Sequence, residues 1–279
     1  MTTSFKMKNF WQKIRPVLIV CFWLLCSAGV ITLLGASMIK QHHLSFQNIV
    51  VNVDDANEMQ FIDQNTILQL LKDHQVNPEK TKPVNAIDYY QLEKVIESNP
   101  YVESAEMFVD ANEKIQINVK QRLPILRIIN SQGVSYYLDE YGMRMPVSSK
   151  FTARVPVATG FIFTNAEHRT ATDSVIEQKL FTLANFIHRD SFLTSLAEQI
   201  IVNQQNEFEL IPVIGNHSIL LGQVDNLDEK FSNLKIFYKE GLNHTGWNQY
   251  SKINLKYSNE VYCTKRGMTN VADDSVNAY

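Results

Sequence analysis

The chain has 279 residues, 26 Lys and Arg against 29 Asp and Glu, and is 45% hydrophobic and 20% charged. That apolar content excludes a disordered or low-complexity protein, and a net charge of −3 gives no support to a nucleic-acid binder, which carries a basic face. With 10 Gly and 8 Pro, collagen-like and linker-rich architectures are excluded as well, and the length suits one or two domains plus accessories.

Residues 17–39 are 23 consecutive residues without a charge. A helix rising about 1.5 Å per residue would cover the ~30 Å hydrocarbon core of a bilayer over that length. Lys6, Lys8, Lys13 and Arg15 precede the run, and no acidic residue occurs in the first 40. The positive-inside bias therefore predicts a cytoplasmic tail at 1–16, a membrane helix at 17–39 and export of the remainder. Phe10 and Trp11 stand where an interfacial aromatic anchor would sit. A cleaved signal peptide is the rival reading, but its apolar region is shorter, and neither Ala28 nor Ala36 lies in an A-x-A site. No second run of this length follows, so a single pass is expected. The exported part keeps 21 basic and 29 acidic residues, a charge suited to solubility rather than to anionic lipid. Cys21 and Cys26 lie in the apolar run, which leaves Cys263 as the one exported thiol and excludes an internal disulfide there.

Residues 45–123 read as a β-α-α-β-β unit. Ile49, Val51 and Val53 alternate as in a strand. Asp63 can cap a helix with Ile67, Leu70, Leu71 and a semi-buried His74 on one side. Asp88 with Gln91 forms a capping-box pattern, with Ile87 and Leu92 as a hydrophobic staple. That helix buries Leu92, Val95 and Ile96 and must stop before Pro100, because Asn99 is forced out of helical geometry. Ala105, Met107 and Val109 alternate next, Asp110 to Glu113 turns the chain, and Ile115, Ile117 and Val119 form the cleanest period-two signal.

Residues 124–263 read as a β-rich unit with flanking helices. Strands are expected at Ile125–Ile129 and Tyr136–Leu138, closed by turn chemistry at 130–133 and 139–142. Ser174 and Glu177 form a capping-box pattern for a helix with Ile176, Leu180, Leu183 and Ile187 on one face. Further strands are expected at Gln199–Asn203, Phe208–Val213 and Ser218–Leu221. Asp225 or Asp228 then caps a helix carrying Leu227, Phe231, Leu234 and Tyr238. A last strand runs from about Lys252 to Tyr262, and 264–279 forms a polar, flexible tail.

The chemistry-bearing residues form no catalytic constellation. Histidines 42, 43, 74, 168, 188, 217 and 244 are scattered without metal-ligand spacing, and no P-loop, G-x-S-x-G or G-x-G-x-x-G occurs. Ser37 with Lys40 and Ser232 with Lys235 match S-x-x-K, but without S-D-N or K-T-G the second is an ordinary exposed helix pair and the first lies at the anchor. The Asn216 and Asn243 sequons are chance-level triplets. Cys263 reads as a small, semi-buried strand residue. The prediction is accordingly of no enzyme, cofactor or metal.

Several local motifs now combine. They are Asn99-Pro-Tyr-Val102 with Ala105, Arg122-Leu-Pro124, Tyr137-Leu-Asp-Glu-Tyr-Gly142 and Val155-Pro-Val-Ala-Thr-Gly160. Leu221-Gly222, then Lys230 with Leu234, and Tyr250 through Tyr257 continue the series. In this order, behind one anchor, they resemble the bacterial cell-division family FtsQ/DivIB from about Trp11 to Cys263. Asn254 and Lys256 depart from the family, which usually has an acidic residue and an Arg there.

The resemblance implies an α+β protein with one N-terminal transmembrane helix, a POTRA domain at 45–123 and a family-type β-domain at 124–263. It implies a non-catalytic divisome scaffold at the septum of the cytoplasmic (inner) membrane, its bulk extracytoplasmic. The implied partners are the single-pass division proteins FtsB and FtsL, which connect the ring to septal peptidoglycan synthesis. An open edge at Lys252–Tyr262 would dock a partner strand, with Tyr257, Asn259 and Tyr262 as contact residues. The alternatives are a POTRA-bearing outer-membrane assembly or secretion component, and an anchored cell-wall enzyme. Neither a nucleic acid nor a small-molecule substrate is implied.

Overall fold

The computed structural model describes residues 22–25, 27–30, 32, 49–54, 59–74, 88–111, 114–163, 171–257 and 260–267. Most of the predicted membrane run, the tail before it, His42, His43, Ile87, Asn259 and residues 268–279 lie outside that set. Residues 22–25, 27–30 and 32 are helical and exposed, and among the described residues no helix is long and apolar enough to cross a membrane.

The first module is β1 (Ile49–Val53), α1 (Gln64–Asp73), α2 (Tyr89–Glu97), β2 (Val102–Val109) and β3 (Ile115–Gln121). Its sheet has the order β1-β3-β2, with β1 parallel and β2 antiparallel to β3. The period-two residues Val51, Ala105, Met107, Ile115, Ile117 and Val119 face inward onto Ile67 and Leu71 of α1 and Ile96 of α2. Asp63 and Asp88 cap the helices by accepting from the Thr66 and Gln91 N–H groups. Two expectations need correction. His74 is exposed at the end of α1, with Nδ1 3.0 Å from Leu70 O, because the helix ends there rather than burying another turn. Leu92 and Val95 are only half-buried, and Ile96 alone of α2 is fully in the core.

Gln121 holds this module's irregular segment. Its Oε1 accepts from the Phe61 and Ile62 N–H groups at 3.1 and 3.2 Å. Its Nε2 donates to Asp54 O and Met59 O, both at 3.1 Å. One buried amide thus bonds four backbone groups between the end of β1 and the start of α1. Gln121→Leu should therefore cost about 2–4 kcal/mol, since it keeps the volume but strands those groups. Denaturant unfolding measures the loss, and a wild-type midpoint would refute the role.

The second module is β4 (Pro124–Ile129), β5 (Ser135–Asp139), β6 (Arg144–Pro146), β7 (Val157–Gly160), α3 (Ala171–His188), α4 (Ser191–Leu196), β8 (Ala197–Val202), β9 (Phe208–Pro212) and β10 (Ser218–Gly222). It continues through α5 (Leu227–Ile236), a π-turn (Phe237–Gly241), α6 (Leu242–Thr245), β11 (Tyr250–Asn254) and β12 (Tyr262–Lys265). The nine strands form one sheet in the order β12-β11-β10-β9-β8-β7-β4-β5-β6. Ile128, Ala158, Ile200, Leu210, Ile219 and Ile253 face the helices, where Ile176, Leu180, Leu183 and Ile187 of α3 meet Leu227, Phe231 and Leu234 of α5.

Three sequence expectations about helix caps and strand limits fail here. Helix α3 begins at Ala171, so Ser174 lies inside it, and Glu177 bonds Tyr136 Oη and Arg144 instead of closing a capping box. Neither Asp225 nor Asp228 caps α5; the cap residue is Asn226 at φ 46°, while Asp225 pairs with Lys230. The single strand expected over 252–262 is two antiparallel strands, because Asn254 Oδ1 accepts the Lys256 N–H and turns the chain. The tail therefore starts later than 264, since β12 includes Thr264 and Lys265.

The two modules share a core. Tyr137 of β5 and Met145 of β6 are fully buried among first-module residues, and Phe61 stacks on Tyr101 and meets Tyr137 and Phe151 edge-on. At the junction the Arg122 guanidinium donates to Asp139 Oδ2 at 2.8 Å, while Asp139 Oδ1 accepts from the Tyr141 and Met143 N–H groups. Two motifs 17 positions apart are thereby one joint.

Candidate protein-interaction edge

The described residues present four sheet edges, and they differ in what lies along them. On β2 the outward N–H groups of Ala105 and Met107 donate to Glu97 and Glu93 of α2, which blocks strand addition. Strand β6 is three residues long, ends in Pro146, and is followed by Val147, whose carbonyl accepts from Tyr101 Oη. Strand β1 follows residues 33–48, outside the described set. Strand β12 ends the large sheet.

The orientation of β12 follows from its pairing. Arg266 N–H donates to Gln249 O, and the Ser251 hydroxyl donates to Thr264 O. The irregularity lies on β11, between Tyr250 and Lys252, so alternation along β12 is unbroken. Tyr262 and Thr264 therefore turn their backbone groups to β11, and Cys263 and Lys265 turn theirs outward. Those outward N–H and C=O groups are a ready template for an added strand.

Side chains on the two sides of this edge are unlike. Cys263 packs on the core, and burial pushes its thiol up to about 11, so it remains an unreactive neutral group at physiological pH. Beside it, Asn233, Ile236, Phe237, Glu240, Gly241 and Val261 line a shallow groove, with Ile236 58% exposed. Tyr262 alternates to the other side; it and Tyr257 are 52% and 59% exposed and meet edge to face, ring centroids 5.3 Å apart. The Tyr262 hydroxyl donates to Glu260, whose carboxylate raises the phenol's pKa and keeps it neutral. Of the three residues singled out from sequence, the structure brings these two tyrosines together as surface residues; Asn259 lies outside the described residues.

The same corner explains the departure at Lys256. Its ammonium reaches across β10 to Glu207 Oε2 at 2.6 Å, and that contact holds the Glu207 carboxyl below the usual range. The partner lies 49 residues away, so no local pattern could have revealed it. Lys235 of the second S-x-x-K pattern is bonded to Asp190 and stands over the Phe192 ring, while Ser232 is exposed. Among the described residues no three His, Cys, Asp or Glu side chains are grouped to hold a metal.

Sequence reasoning missed the groove and placed the edge too early. The signal was present but short: Val261 and Cys263 alternate with Tyr262 and Thr264, and Ile236 falls off the core face of α5.

A family model described as FtsQ/DivIB, C-terminal related matches residues 123–264. A POTRA-like domain model matches residues 46–120. No curated protein matches the chain.

Proposed function

The chain belongs to the FtsQ/DivIB family of cell-division proteins, and on that premise we propose that it is a non-catalytic scaffold of the septal machinery. In this reading residues 17–39 anchor it in the cytoplasmic membrane with the tail inside. Its exported modules then bind other single-pass division proteins of the FtsB and FtsL kind and link the ring to septal peptidoglycan synthesis.

The observation that carries the proposal is the edge strand β12. Its outward backbone groups can take a partner strand by main-chain hydrogen bonds. The groove at Ile236, Phe237 and Val261 receives that strand's apolar side chains on one side. Tyr257 and Tyr262 supply aromatic contacts, and Asn259 is assigned a polar one.

Two measurements test this. A fluorescent fusion of the full chain should form a band at the division site, and depletion should give filaments. A uniform envelope signal with normal division would overturn the proposal. Tyr257→Ala with Tyr262→Ala should weaken partner capture about tenfold or more while leaving the melting temperature nearly unchanged, because both rings are more than half exposed. A collapse of the melt would make the pair structural instead.

A further inference from the structure

Among the described residues His217 is the only buried histidine, 5% exposed at the corner below the acceptor strand. Its Nε2 lies 2.6 Å from Tyr238 Oη in the π-turn, and its Nδ1 is buried with no partner among the described residues. The ring folds back over Gly215, where a Cβ would lie 2.5 Å from its Cε1. Tyr238 in turn meets Phe192 of α4 and Trp247 edge-on.

The same corner ties down the end of β12. The Arg266 guanidinium bonds Asn216 O, next to His217, and Tyr250 O, while the Arg266 N–H holds Gln249 O. Arg266 is the charge that bears on the imidazole. On the flanking helices, the Lys235 and Asp190 charges are spent on each other, and His244 on α6 is exposed.

A neutral ring suits this place. A proton on Nε2 donates to Tyr238 Oη and leaves only a lone pair at Nδ1. A second proton would put a bare N–H donor and a positive charge in a buried site under the field of Arg266. We propose that His217 is an acid-sensitive latch on the strand-acceptor edge: proton uptake opens the corner formed by residues 213–217, the π-turn and the end of β12. The inference rests on the reading of β12 given above and adds its regulation.

The direction follows from linkage. Burial and the Arg266 charge both hold the imidazole below its ordinary value. Closure is therefore unaffected above about pH 6.5. Below it, the opened corner binds a proton that the closed corner refuses, and opening rises about tenfold per pH unit until the closed-state value is reached.

The test is hydrogen exchange of the full chain in detergent micelles without partner, at pH 7.5 and 5.5, corrected for intrinsic exchange. Peptides covering 213–218 and 249–266 should open about tenfold more at pH 5.5, with β4 and β5 unchanged. His217→Gln should abolish the difference. If that variant misfolds, the wild-type chain carrying 13C-labelled histidine is titrated instead, and His217 should stay neutral below its ordinary range. Equal protection at both pH values, or ordinary titration of His217, would overturn the latch. Because no partner is present, that failure would leave the strand-acceptor reading standing. Absent capture at pH 7.5 would sink that reading and leave the latch untouched.

Discussion

Gly160→Ala is expected to destabilise the second module by roughly 3–5 kcal/mol. Gly160 has φ 102°, where a side chain is strained, and it pairs with Val202 across the parallel β7–β8 contact. An added Cβ would fall well inside contact distance of Val202 O, which accepts the Phe161 N–H at 2.9 Å, and would press on Val202 N at 3.1 Å. The obstacle is backbone on both counts, so no rotamer relieves it. Strands β7 and β8 would have to separate in the middle of the sheet. Denaturant unfolding measures the loss, and a variant within 1 kcal/mol of wild type, on the scale of ordinary surface changes, would refute this account of the motif.

The second large effect concerns binding rather than stability. Cys263→Pro should reduce partner capture about 100-fold or more, equivalent to about 2.7 kcal/mol. Proline removes the outward N–H of residue 263, and its ring stands in the path of an added strand. The inward bonds to β11 come from Tyr262 and Thr264, so β12 itself should persist, as prolines on sheet edges generally allow. Thr264→Pro is the matched control. There the lost N–H points to β11, and the strand should detach from the sheet. Equal capture by Cys263→Pro and wild type would place the partner elsewhere. Equal loss of structure in both variants would refute the assigned alternation.

Which parts of this molecule were legible in sequence follows from whether each residue takes the partner its local pattern names. The β-α-α-β-β order of the first module, the Asp63 and Asp88 caps and the inward alternation of Ile115, Ile117 and Val119 depend on neighbours a few residues apart. They could be read directly. The helix faces of α3 and α5 were legible for the same reason. What failed was decided by a partner, near or distant, that the local pattern does not name. Glu177 has the spacing of a capping-box partner but is taken by Arg144, 33 residues before it. Asp225 has the chemistry of a cap but is spent on Lys230. The break between β11 and β12 rests on one Asn254 side chain turning the chain, in a stretch whose apolar alternation otherwise continues.

The candidate site divides along the same line. Tyr257 and Tyr262 could be named from sequence, but only the fold brings their rings together at the surface. The groove brings Ile236 of a helix beside Val261, 25 residues later, and the short local signals at each do not reveal that they meet. The closure of β2 by Glu93 and Glu97 is likewise invisible in sequence. Yet it is part of what singles out β12, because it shows that one edge is shut while, among the described residues, another is left open.

The central claim is that β12 accepts a strand through the backbone of Cys263 and Lys265. Residue-resolved amide exchange of the full chain, alone and with a co-purified single-pass division partner, addresses it most directly. Free, the Cys263 and Lys265 amides should exchange fast, and those of Tyr262 and Thr264 slowly. On binding, the first two should slow about 100-fold, while the second two change little. A partner that binds with equal affinity yet leaves the Cys263 and Lys265 amides as fast as before would contradict the account.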